Sequence, residues 1–152
     1  MESSPEERRR RELADLAPVC PRGTWCRGRL DDADVLFLCG TIGAEFDRWQ
    51  RRLSLGSAAD AYFAQQLGLE AVEKVMDELE ARLRRMVEAE GKRLLPRWSP
   101  GYGGRPLALS REILEKLDAP KTVGVSITDS DLLVPSKSVT AVCEVVGGKD
   151  VT

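Results

Sequence analysis

The residues with the most chemical content lie in one loop, Arg97-Trp98-Ser99-Pro100-Gly101-Tyr102-Gly103-Gly104-Arg105-Pro106. Arg97 offers a planar fork of N–H donors that meets a carboxylate at two points. Tyr102 adds an aromatic face and a hydroxyl. Between them Pro100-Gly101 suits a type II turn, because proline presets the first φ and glycine accepts the positive second φ. Gly103 and Gly104 leave backbone bare for close approach by a flat ligand. Such a loop would cradle a small zwitterion. The alternative is a structured connector with a stacked tryptophan. Glu73 stands on the helical run before the loop. With successive residues placed roughly 100° apart, it falls beside the apolar stripe rather than opposite it. From that margin a carboxylate looks either into a pocket at the core edge or into solvent.

Several chemistries are excluded. The chain has no histidine, which removes histidine acid–base catalysis, histidine triads and histidine metal sites. It lacks a P-loop and a GxSxG elbow, and its glycine-rich loop follows no expected strand, as a dinucleotide fingerprint would. Ser136-Lys137-Ser138 makes a poor serine–lysine pair, because neighbours on a strand point to opposite faces. A formal charge of -2 argues against a general nucleic-acid binder. The run Arg8 to Arg11 has Glu6, Glu7 and Glu12 around it and reads as a solvated helix face. No apolar run approaches a membrane span and the N-terminus lacks a signal core, so a soluble, cytoplasmic chain is expected. Cys39 and Cys143 fall in apolar runs and are expected as buried thiols. Cys20 and Cys26 are either free or a redox pair.

A chain of 152 residues supports one domain, and an aromatic share of 5% implies an aliphatic core. Ser4 and Pro5 open a first helix reaching to about Ala17. Residues 18–33 read as irregular, with Thr24-Trp25-Cys26 as an edge strand. Val35 to Cys39 is a strand buried on both faces. Gly40 to Gly43 turns the chain into a helix from about Ala44 to Leu53. Leu55-Gly56 ends that helix, and Ser57 with Asp60 opens a long one to about Glu90. Its stripe is Leu69, Val72, Met76, Leu79, Leu83 and Met86. Gly68 costs about 1 kcal/mol there and marks a close helix–strand crossing or a break. After the loop, Ser110 is expected to cap a helix over 111–117, which Ala119-Pro120 ends. Alternation then predicts strands over 122–128 and 138–146, able to pair antiparallel, with a frayed tail from Gly147.

Taken together, these residues resemble a known family. The pattern Arg97-x-x-Pro100-Gly101-Tyr102-x-x-x-Pro106, the preceding Ala71-Val72-Glu73, and the closing Thr128-x-Ser130-x4-Pro135-x2-Ser138-Val139 look like the C-terminal activation domain of vitamin B12-dependent methionine synthase. The stretches Thr41-Ile42-Gly43-x-Glu45-Phe46-Asp47 and Gly68 to Glu73 are similar to its helical middle. The resemblance covers residues 35–146 and leaves 1–34 as a short, diverged N-terminal segment and 147–152 as a tail. It implies an α+β fold, a twisted antiparallel sheet flanked by helices. It also implies binding of S-adenosylmethionine and reductive methylation of a cobalamin, with an electron from flavodoxin or a similar donor. Arg97 would fork onto the ligand carboxylate, Tyr102 would line the pocket beside Pro100 and Gly101, backbone near Gly104 would meet the adenosine, and Glu73 would hold the amino end. With no histidine for cobalt, this chain would need the corrinoid on a partner in trans, either a corrinoid methyltransferase or a methionine synthase core. The alternative is a module that binds S-adenosylmethionine, or a corrinoid protein, without turnover. Direct methyl transfer to protein or nucleic acid fits poorly, for want of a base and the usual glycine-rich strand–helix site.

Overall fold

The computed structural model describes residues 2–147. The first helix, α1 (Pro5–Leu16), begins as its sequence dictates: the Ser4 hydroxyl accepts the Glu7 N–H, and Pro5 occupies the first turn. Next comes a hairpin of β1 (Arg22–Leu30) and β2 (Ala33–Thr41) in continuous antiparallel register. Asp31 and Asp32 both have positive φ (49° and 67°) and close it as a two-residue loop. Residues 22–30 are therefore a full strand and correct the expected irregular stretch. The division at residue 34 falls inside β2, so the N-terminal segment shares a sheet with the rest.

Helices α2 (Ala44–Ser54) and α3 (Ala58–Ala89) follow, and the Ser57 hydroxyl accepts the Asp60 N–H as the capping pattern requires. A short strand not foreseen from the sequence, β3 (Lys92–Leu94), leads to the loop. Beyond it lie α4 (Leu109–Leu117), α5 (Ala119–Thr122), β4 (Ser126–Ile127), β5 (Leu133–Val134) and β6 (Ser138–Gly147). The main sheet is antiparallel in the order β1-β2-β6-β3, and β4 pairs with β5 as a separate hairpin. This corrects the expected pairing of 122–128 with 138–146: β6 instead lies between β2 and β3, and residues 122–125 are turn and helix end. The fold is α+β, a four-stranded antiparallel sheet with helices on both faces. The frayed tail concerned 147–152; Gly147 ends β6, and 148–152 lie outside the described residues.

Alternation along β2 divides the core. Val35, Phe37 and Cys39 face α4 and α5, packing on Ile113, Leu114 and Leu117. Leu36 and Leu38 face α3, packing on Met76, Leu79 and Leu83. A third cluster, with Leu13, Ile42, Phe46 and Val72, joins α1, α2 and α3 at one end. On α3 the buried stripe runs through Ala64, Gly68, Val72, Met76, Leu79, Leu83 and Val87. It is rotated slightly from expectation, leaving Leu69 exposed and Met86 half-buried. Gly68 marks a close crossing, with helix α2 rather than a strand. A Cβ there would stand 2.6 Å from the Phe46 ring and 2.8 Å from Lys137 Cε.

Candidate functional site

The loop is aimed by a strand irregularity. Leu94 pairs with Val145 and Trp98 with Val142, so four steps on this side match three on β6. The extra residue is a bulge around Pro96 and Arg97, and such a bulge redirects a side chain. Here it turns Arg97 onto the face of α3. Trp98 is then pinned by two backbone bonds to Val142, of 3.0 and 2.8 Å. Gly101 has the positive φ (91°) expected after Pro100. The loop closes through Gly101 N–H to the Arg105 carbonyl (3.0 Å) and Arg105 N–H to the Tyr102 carbonyl (3.1 Å).

A cleft of about 500 Å³ opens between this loop, α3, the start of α4 and β6. Glu73, Arg97, Pro100 and Tyr102 line it. Gly101 and Gly104 lie outside the lining, and Gly103 takes their place. A Cβ on Gly104 would meet nothing within 4 Å, so its φ of +78° is what calls for glycine there. Ser110, Asp131 and Thr140 also line the cleft and were missed as site residues. Ser110 is not the helix cap: α4 starts at Leu109 after Ala108, and the buried Ser110 hydroxyl bonds Thr140 Oγ1 at 2.9 Å beneath the cleft. Asp131 accepts from Arg111 at 2.9 Å. Its place in the polar run Asp129-Ser130-Asp131 was the one signal available.

Arg97 is the electrostatic centre. Its Nη2 lies 2.7 Å from Glu73 Oε2 and 2.9 Å from Asp77 Oδ1, and its Nη1 lies 2.9 Å from Glu80 Oε1. Glu80 also takes Arg84 at 2.9 Å. The two Nη2 partners are solvent-facing (side chains 58% and 69% exposed), while Glu80 is 13% exposed and Arg97 18%. Burial lowers the Arg97 pKa, and hydrogen bonds to Asp77, Glu80 and Glu73 outweigh it and raise it overall. Burial raises the Glu80 carboxyl, but Arg84 and Arg97 hold it below the ordinary range. Three carboxylates and two guanidiniums leave this corner net negative, so it favours cationic groups. The exposed pair on Nη2 is the part that a competing carboxylate would replace.

Tyr102 stands largely exposed on the rim. Leu107, which also lines the cleft, is likewise exposed. Among the described residues no group of three or more His, Cys, Asp or Glu side chains is arranged to hold a metal ion. No helix among them is long and apolar enough to cross a membrane. The thiols of Cys20, Cys26, Cys39 and Cys143 are all free. No family model matches this chain, and no curated protein matches it.

Proposed function

We propose that the chain binds S-adenosylmethionine in this cleft and serves as the reactivation component for a cobalamin or related corrinoid carried by a partner methyltransferase of the methionine synthase type. The observation that carries the reading is the convergence on one cleft of two residues of the loop, Arg97 and Tyr102, with Glu73 from the preceding helix. The resemblance of the Arg97-x-x-Pro100-Gly101-Tyr102 loop supports the choice of ligand. The residues present fit that ligand. A volume of about 500 Å³ lies within the range of small-molecule sites, roughly 300–1,000 Å³. The ligand carries one carboxylate and two cationic groups. Arg97 serves the carboxylate once it displaces Glu73 and Asp77 from Nη2. The acidic surroundings, with Asp131 across the cleft, serve the ammonium and the sulfonium.

When bound, the sulfonium would supply a methyl group and leave as S-adenosylhomocysteine; the acceptor would be the corrinoid on the partner, with the one electron that balances the transfer supplied by a flavodoxin-like or other donor. The chain's own residues would bind the ligand, orient it and leave its reactive end open to a partner. No side chain is asked to move a proton.

Calorimetric titration of S-adenosylmethionine into wild-type protein and Arg97→Ala tests the reading. Saturable binding lost in the variant is the expected result. Silence from the folded wild type, both alone and with a candidate corrinoid protein present, overturns it. Binding without methylation of any corrinoid would leave the second reading, a non-catalytic S-adenosylmethionine-binding module.

A further inference from the structure

A second chamber of about 600 Å³ lies on the other side of Trp98 from the first. Trp98 and Arg105 line both, so they form the wall between the two. The floor of the second chamber is apolar, with Ala33, Val35 and Leu109. Its polar lining is mostly acidic: Asp31, Glu112 and Glu144. None of these three carboxylates forms an ion pair among the described residues. Arg105 forms none either; its guanidinium carbon rests 3.9 Å from the centre of the Trp98 ring. That is a cation–π contact, and the chamber supplies its own cation for it.

The two partners in the contact are held differently. Trp98 is fixed by its paired backbone bonds to Val142. Arg105 is an exposed side chain on a loop with positive φ at Gly101, Gly103 and Gly104. Trp98 Nε1 is the single buried side-chain N or O atom without a hydrogen-bond partner among the described residues. Among the described residues the Arg105 guanidinium makes no ion pair, so the cation–π contact is what holds it on the ring. The seat is rigid, its occupant is replaceable, and the surrounding charge is negative over an apolar floor.

We propose that the second chamber is a binding site for a flat organic cation, which sits on the Trp98 face in place of the Arg105 guanidinium. The apolar body of the ligand rests on Val35 and Leu109, and its charge faces Glu112 and Glu144. This site is distinct from the S-adenosylmethionine cleft, since Glu112 and Glu144 do not line that cleft.

The test is a titration of ¹⁵N-labelled protein with phenyltrimethylammonium, followed at the indole N–H resonances. There are three tryptophans, and Trp98→Phe assigns the relevant signal. A saturable shift of the Trp98 signal is expected with phenyltrimethylammonium and none with benzenesulfonate, which has similar bulk and opposite charge. Arg105→Met removes the internal cation and should tighten binding roughly two- to fivefold. The double variant Glu112→Gln, Glu144→Gln should weaken it by about fourfold or more. An equal response to benzenesulfonate, no saturable shift in either wild type or Arg105→Met, or unchanged affinity in the double glutamine variant would each overturn the proposal. Because the probe lacks a carboxylate and the glutamine changes avoid the first cleft, such a failure leaves the S-adenosylmethionine reading standing, and the reverse also holds.

Discussion

If the cleft takes S-adenosylmethionine as proposed, Asp77→Asn should tighten binding, although Asp77 does not line the cleft. Asp77 acts through Arg97. In the free protein its Nη2 is shared between Glu73 at 2.7 Å and Asp77 at 2.9 Å. A ligand carboxylate that needs the same donor must displace them. Exposed pairs of this kind are worth about 0.2–1 kcal/mol each. Removing the Asp77 charge removes that stabilisation from the unliganded state alone, so affinity should rise about 1.4- to 5-fold. Glu73 is different, because it lines the cleft and carries two opposed roles. As a competitor for Arg97, its loss tightens binding; as an acceptor for the ligand ammonium, its loss weakens binding. Comparing S-adenosylmethionine with its decarboxylated analogue separates them, since the analogue has no carboxylate to place on Arg97. With the analogue, Glu73→Gln and Asp77→Asn should both only weaken binding, because each takes negative charge from the corner and a freed Arg97 brings no gain. Calorimetry at low and high salt is the assay, and high salt should shrink the Asp77 effect. If Asp77→Asn leaves S-adenosylmethionine affinity unchanged or lowers it, Arg97 does not take the ligand carboxylate. It is then a tie between α3 and the bulged strand.

Glu80→Gln should destabilise the fold by about 1.5–3 kcal/mol, because it strips a mostly buried, charge-assisted partner from Arg84 and Arg97. The pH dependence follows in sign. The folded-state pKa of Glu80 is depressed, so its contribution is complete above the ordinary 4.5 and is lost as pH falls through the lower folded value. Urea titrations on acidification should show the wild type losing more stability than Glu80→Gln. Gly68→Ala should destabilise by about 1–2 kcal/mol net, the clash with Phe46 outweighing the gain in helix propensity, and thermal melts would read it. Thiol labelling at pH 8 should modify exposed Cys20 first; Cys39 and Cys143, whose burial pushes them up to about 12, should react only on unfolding.

Local signals in the sequence were dependable where one residue settles the geometry. Ser4 and Ser57 cap their helices as expected, because a hydroxyl before a helix has orphan N–H groups to meet. Val35 to Cys39 is buried on both faces, as an unbroken apolar run requires. Edge and short strands were illegible for a matching reason. Residues 22–30 carry three arginines and two glycines, and such a strand is defined by its partner β2 rather than by its own propensity. Ser110 was misread because a hydroxyl near a helix start looks the same whether it caps the helix or reaches Thr140 across the core.

The site shows the same division. Arg97, Pro100 and Tyr102 could be read from one loop, since turn chemistry is local. What surrounds Arg97 could not, because it depends on how α3 packs. Glu73, Asp77 and Glu80 follow one another at spacings of four and three, which places them on one helix face. That face alone would pass for a solvated acidic stripe. Only the bulge at Pro96 and Arg97 turns the arginine onto it, and a bulge is a property of two strands in register. The consequence is functional as well as structural. A lone arginine would bind any carboxylate that entered the cleft. On the proposed function, an arginine already holding two exposed carboxylates would accept only a ligand whose other contacts offset their displacement, so the acidic face of α3 would act as a threshold for the cleft.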